Sequence, residues 1–518
     1  MVVKEKKGGY MKFMVRLLKI SIILMGSLML SFCSTSINPG SGNPPADTVS
    51  PVLTITSPTN GQMVGVSYIL QGTVTDSGSD VKAVYVKLND GIYNQVNVSG
   101  GNWSTNISIS ILGVYTNYVY AMDNANNTNT VSFIWIIRDS IPSVIISAPV
   151  NGIYTNISNI TLSGTASIDT PYSISNVQVQ LNGGGWVNAS GTVNWAKVIN
   201  LTEGSNTIVA RVISDNGKTN ISAELTIVFE KVVFVSTTGN DGNSGGRTDP
   251  LFSLQAAVSK ALAVGFNTIR VAEGMYSPGS GLNLSNSGVV LTNISGLSII
   301  GGYSSDFFSH NGVSILNGAD SLYHLVFIYR AQNIDLSGFT ITHGCASGSG
   351  NNGYGGGVFI QYSYNIFITN SIISNNVSTG APLCLGGGLF IQGGKSVTIS
   401  GTISDNSAKT GGGIFVYEGT NHCFSATFIG NTATSYGGGV FVDTSGIGFN
   451  FSGTFYGNYS PQGGGIYLNY TSTNHTFNIT IKSNAQYGIY KKGSSAPNLS
   501  GVIWGVGNET NSPANVGP

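Results

Sequence analysis

The chain has 518 residues, of which 8% are charged and 71 are glycine, with Lys plus Arg balancing Asp plus Glu at 22 each. So low a charge density beside so many aromatic and turn-forming residues excludes the disordered class and suits β-rich, turn-rich extracellular structure. The length allows several domains.

The first element is a targeting segment. Lys12, Arg16 and Lys19 precede an apolar run of 13 residues, Ile20 to Phe32, well short of the roughly 20 needed to span a bilayer. The run ends Leu30-Ser31-Phe32-Cys33, which resembles the cleavage box of bacterial lipoproteins, with Phe32 in place of the usual small residue. The resemblance implies a signal peptide over 1–32 and a lipid on Cys33, hence a membrane anchor and a place in the cell envelope, at the outer membrane or cell surface. Removing 1–32 takes away six basic side chains (Lys4, Lys6, Lys7, Lys12, Arg16, Lys19) and Glu5, leaving 16 basic and 21 acidic residues, a net charge near −5. No basic stripe remains to neutralise phosphates, which argues against a nucleic-acid partner. Residues 33–50, with Gly40-Ser41-Gly42-Asn43 and Pro44-Pro45, read as a flexible tether.

Two copies of a unit of about 92 residues follow. Pro58-Thr59-Asn60-Gly61 recurs as Pro149-Val150-Asn151-Gly152, Leu70-Gln71-Gly72-Thr73 as Leu162-Ser163-Gly164-Thr165, and Trp103 as Trp195. Alternating runs such as Val84-Tyr85-Val86-Lys87-Leu88 predict half-buried strands between Gly/Asn/Asp turns, and such strands at this density make a β-sandwich. The copies, 51–139 and 140–231, resemble bacterial immunoglobulin-like modules that open with Ser-Pro-x-Asn-Gly, which implies spacing or adhesion.

From residue 232 the pattern changes. Phe252 to Ala263 is an amphipathic helix with Leu254, Ala257, Val258, Ala261 and Leu262 on one face, suited to cover the open end of a solenoid. Five glycine triplets then begin at Gly355, Gly386, Gly411, Gly437 and Gly463, at steps of 31, 25, 26 and 26 residues. A period near 25 without helical stretches predicts coils that bury their apolar side against one another. The Gly-Gly-x-Ile and Phe-x-x-Asn repeats are similar to those of polymorphic outer-membrane proteins, and the opening, through Thr268 to Tyr276, resembles the start of pectin-lyase-like proteins. The resemblance covers 232–518 and implies a right-handed parallel β-helix. The fold expected is all-β, two immunoglobulin-like sandwiches followed by a β-helix with an N-terminal helical cap.

Aligning coils on the triplets gives columns. The first and third residues after each triplet are aliphatic and should point inward; the second, Phe359, Phe390, Phe415, Phe441 and Tyr467, should then stack outward as a stripe able to bind a glycan or dock a protein. Asn376, Asn406, Asn431, Asn458 and Asn484 read as an amide ladder. Glu418 and Asp443 fall in adjoining coils, a pair able to bind Ca²⁺ or to serve as acid and base, though solvated loop carboxylates are the plainer reading. No metal site and no cofactor are expected beyond that one open Ca²⁺ alternative. Thr420-Asn421-His422 and Thr473-Asn474-His475, 53 residues apart, read as loop residues at one corner, and Cys345 and Cys384 as a disulfide. Lysine is sparse in these coils and no Arg follows Arg330, so the convergent carboxylate-plus-base groups of polysaccharide-degrading enzymes are missing. A non-catalytic adhesin or glycan-binding surface lipoprotein, meeting a glycan or a host or cell-surface protein, is the favoured function. A polysaccharide lyase or hydrolase on the pectin-lyase-like scaffold, and a structural surface component, stay open as alternatives; the oligomeric state is not legible.

Overall fold

The computed structural model describes residues 46–111, 113–137, 140–283, 286–443, 445–469, 472–492, 498–505 and 516–517. The expected signal peptide, Cys33 and all but the end of the tether lie outside the described residues. Among those residues no helix is long and apolar enough to cross a membrane. The chain divides into two compact units, 1–138 and 139–518.

The first unit is a β-sandwich. One sheet runs in the spatial order Val52–Ser57, Ser67–Thr75, Asn102–Ser108, Val98–Ser99, and the other Met63–Val64, Thr128–Ile137, Gly113–Asp123, Val81–Leu88, Asn94–Val96. Period-two alternation puts Leu70, Val74, Val84, Trp103 and Val119 between the sheets, each at most 2% exposed. Gly72 pairs with Trp103 across the strands, as Gly164 pairs with Trp195 in the second sandwich. A Cβ on Gly72 would come within 2.6 Å of the Trp103 ring, so the recurring Gly-Thr and Trp are two halves of one packing contact.

The second unit holds a sandwich of the same plan, from Ser143–Ala148 to Leu225–Phe229, and the solenoid that begins at Val232–Val235. The two are joined by Arg247, whose side chain is 7% exposed. It pairs with Glu230, donates to the Phe307 carbonyl at 2.7 Å and lies against the rings of Tyr154 and Phe308. A guanidinium this well partnered offsets the cost of its own desolvation.

Among the described residues the solenoid is a parallel β-helix of three sheets, with 16, 9 and 4 strands. Its interior is filled by the expected aliphatic columns: Val358, Leu389, Ile414, Val440 and Ile466 are register neighbours, and they and the residues two positions on are fully buried. The triplets are stacking devices. The first glycine of each has φ between 62° and 68°, where a side chain is strained. The third lies against its counterpart in the next coil, a Cβ on Gly413 meeting the Gly439 carbonyl oxygen at 2.4 Å.

Beside the triplets runs the asparagine ladder. Each Nδ2 donates to the Oδ1 of the asparagine one coil on, at 3.1, 3.0, 2.9 and 2.8 Å from Asn376 to Asn484. Each also donates to a main-chain carbonyl, as Asn431 does to Ile403 at 2.8 Å. These amides are buried and fully used.

The helix, Leu254–Val264, covers the end of this core, capped by Ser253 at its start and left-handed Gly265 at its end. Leu254, Ala257, Val258 and Ala261 join the solenoid core. Leu262 does not, and is 47% exposed; at about 100° per residue it falls just beyond the edge of the apolar stripe.

Two local expectations fail. His422, expected in a corner loop, is fully buried, and its ring and that of His475 flank Phe449 at 4.9 and 5.1 Å. Burial pushes His422 down to about 3 and His475 to about 4, so both stay neutral. Cys345 and Cys384 are free thiols; the register neighbour of Cys345 is Val377, and the Cys384 Sγ donates to the Gly380 carbonyl at 3.1 Å.

Asn431→Ala removes the two bonds donated by the Asn431 amide and leaves both the backbone N–H and the Nδ2 of Asn406 without their shared acceptor. It should cost on the order of 3 kcal/mol, read as a lower unfolding midpoint in denaturant with an unchanged slope.

Candidate functional site

The aromatic column is continuous over seven coils, Phe327, Phe359, Phe390, Phe415, Phe441, Tyr467 and Tyr490 being successive register partners. It forms a cluster separate from the interior core, on the opposite face of its sheet, as alternation requires. The expected register therefore holds. Exposure does not follow from it: Phe359, Phe390, Phe415, Phe441 and Tyr467 are only 0, 2, 3, 6 and 3% exposed.

Two contacts close the column. Ring faces are used up by one another, with centroids 5.4 Å apart from Phe390 to Phe415, then 4.8 Å at each of the next two steps, all stacked. Their outer side is covered by the residues that precede the triplets. Because the first glycine of a triplet turns the chain sharply, the residue before it can fold back over the column, as Tyr354, Leu385 and Tyr436 do. Tyr354 packs on Phe390 at 4.9 Å, and Tyr436 on Tyr467 at 5.2 Å. The exposed stripe expected from the sequence is thus a second, smaller core.

The cover has a gap. Thr410, between Leu385 and Tyr436, is too short to reach across, and here a groove of about 450 Å³ opens over Phe390, Phe415 and Phe441. One wall is apolar and aromatic, made by Tyr354, Leu383, Leu385 and Tyr436, the last 40% exposed. The other is polar, made by the fourth residues after the triplets: Gln392, Tyr417 and Asp443. These are held in place along the column. Gln361 donates to the Gln392 Oε1 at 2.6 Å, and Asn469 donates to the Asp443 Oδ1 at 2.7 Å.

Of the expected carboxylate pair, only Asp443 lines the groove. Glu418 is exposed, on a left-handed backbone (φ 63°) at the turn that leaves the strand. The groove thus has one carboxylate, already hydrogen-bonded, and no basic side chain in its lining. Sequence reasoning found Asp443 and the ring floor but missed Thr410 and Tyr436. The available signal was the residue before each triplet, which reads Tyr, Leu, Thr, Tyr, Gln.

No protein-family model matches the chain, and no curated protein matches it. Similar solved structures cover about a third of it. They include fibronectin(III)-like modules of CbhA from Clostridium thermocellum, 17% identical over 35% of this chain and 94% of that one, with TM-score 0.19. The adhesin InvE of Yersinia pseudotuberculosis is 15% identical over 34% of this chain and 58% of that one, with TM-score 0.15. SGBP-B of Bacteroides ovatus, in complex with a mixed-linkage heptasaccharide, is 13% identical over 36% and 50%, with TM-score 0.14. Likenesses of this size carry no argument about what this chain binds.

Because Phe415 and Phe441 are buried and in mutual contact, replacing both by Ser should destabilise the solenoid by on the order of 5 kcal/mol. A thermal scan checks this; an exposed stripe would show almost no shift.

Proposed function

We propose that the chain is a surface protein that acts in non-catalytic recognition, with a short saccharide bound in the groove over Phe415. What supports this reading is the two-sided lining. A sugar ring has an apolar face suited to an aromatic wall and hydroxyls suited to amide, phenol and carboxylate groups, and Tyr436 with Tyr354 stands opposite Gln392, Tyr417 and Asp443. Catalysis is the weaker reading. Glycoside hydrolysis needs two carboxyl groups flanking the bond to be cleaved, whereas this groove offers Asp443 alone.

The gap at Thr410 supplies a test. Thr410→Tyr should complete the cover between Leu385 and Tyr436, leave the melting temperature equal or higher, and abolish binding on a glycan array. Tyr436→Ala should weaken it at least tenfold. Undiminished binding by the folded Thr410→Tyr chain would overturn the groove as the recognition site.

On this reading the solenoid is displayed at the outer membrane or cell surface by a lipid on Cys33. Cys33→Ser should then move the protein from the detergent phase to the aqueous phase in a partitioning experiment; an unchanged partition would exclude the anchor.

A further inference from the structure

The first sandwich brings three carboxylates from separate parts of the chain to one end of its sheets. Asp47 precedes the first strand, Asp76 follows Ser67–Thr75, and Asp123 ends Gly113–Asp123. Each offers a carboxylate oxygen, and these lie within 4.8 Å of one another. Asp123 is fully buried. None of the three forms an ion pair: the nearby Lys82 donates instead to Asn126 at 2.8 Å. Three like charges gathered without a counter-charge repel one another, and the buried Asp123 is desolvated as well.

The way each carboxylate is held points to what balances them. Asp76 accepts two backbone N–H groups, from Gly78 at 3.1 Å and Ser79 at 2.8 Å, both on Oδ2. Asp47 accepts the Val49 N–H on Oδ1 at 2.9 Å. In each case one oxygen is anchored and the other turned inward. Those inward atoms, Oδ2 of Asp47 and Oδ1 of Asp76, are wholly buried and accept no hydrogen bond. Asn127 braces the remaining side of the cluster, donating through its amide to Asp123 Oδ2 at 2.9 Å and to the Asp47 carbonyl at 2.9 Å. Gly78 makes room: a Cβ there would lie 2.4 Å from the Asp47 carboxylate.

The second sandwich shows the same corner without this arrangement. Val81 pairs with Asp123 in the first copy, and Ile174 with Ser214 in the second. Ser214 puts a hydroxyl where the first copy has its buried carboxylate, and that hydroxyl donates to the Lys218 carbonyl at 3.0 Å. The Asp169 side chain accepts from Ser140. A corner with a single, internally bonded carboxylate is therefore compatible with the fold, and the orphaned oxygens of the first copy are not a requirement of it.

We propose that Asp47, Asp76 and Asp123 hold a calcium ion. Hard carboxylate oxygens in an adaptable loop cluster suit Ca²⁺, whereas Mg²⁺ demands a tighter octahedron and gives up its waters reluctantly. Since Asp47 belongs to the segment entering the sandwich, the ion ties that segment to both sheets. The tether then ends at a rigid point.

The test is a titration of CaCl₂ into the full chain stripped with EDTA, followed by calorimetry and thermal melting. One equivalent should bind with a dissociation constant on the order of 10⁻⁴ M, as in extracellular modules, and should raise the melting temperature more than equal MgCl₂ does. Asp76→Asn and Asp47→Asn should each weaken calcium at least tenfold. In EDTA both should melt no lower than the parent, since each removes a like charge. A parent chain indifferent to calcium, an equal response to magnesium, or calcium binding unchanged in both variants would overturn the site. Variants that melt lower than the parent in EDTA would overturn it too, showing that these carboxylates serve hydrogen bonding alone.

Discussion

Every strand of the solenoid is bonded along its length to the strands of the coils beside it, about 4.8 Å away. A residue at a given place in the coil must therefore accept its own counterpart as nearest neighbour. Glycine triplets satisfy this where main chains meet at a turn, because a Cβ on Gly413 would strike the next triplet. Asparagine satisfies it where polar side chains are buried, since its amide donates to the next copy and accepts from the previous one. Aromatic rings satisfy it by stacking. Three unrelated side-chain chemistries answer one spacing.

The same constraint explains why the groove is local. Columns propagate, so the ring column and the cover over it run on for several coils, and a single substitution within a column changes the surface at one coil only. Thr410 is such a substitution. Its neighbours Leu385 and Tyr436 are large enough to lie over the rings, and it is not. An opening therefore appears without any change in the backbone path. Its polar wall depends on the same propagation: Gln392 is oriented by Gln361 in the preceding coil and Asp443 by Asn469 in the following one.

The sandwiches obey a different rule. Their strands pair antiparallel and their two copies share a plan, so features common to both copies are those the fold needs. Trp103 over Gly72 and Trp195 over Gly164 belong to this group. Features present once are free to serve another end, and the carboxylate cluster of the first copy, matched by Ser214 in the second, is of that kind.

The all-β class, the coil period, the inward columns and the asparagine ladder were legible in the sequence because each is a periodic pattern, and a period alone states which residues become neighbours. The ring column was legible too, down to its register. Its burial was not, since that depends on Tyr354, Leu385 and Tyr436 turning back over it at glycines with positive φ, a matter of chain path. The burial of His422 and the free state of Cys345 and Cys384 have the same origin, as local spacing does not say which way a corner residue points. The meeting of Asp47, Asp76 and Asp123 lies furthest from the sequence. No repeat links the three positions, and only the closing of two sheets, driven by the apolar faces between them, brings their carboxylates within reach of one another.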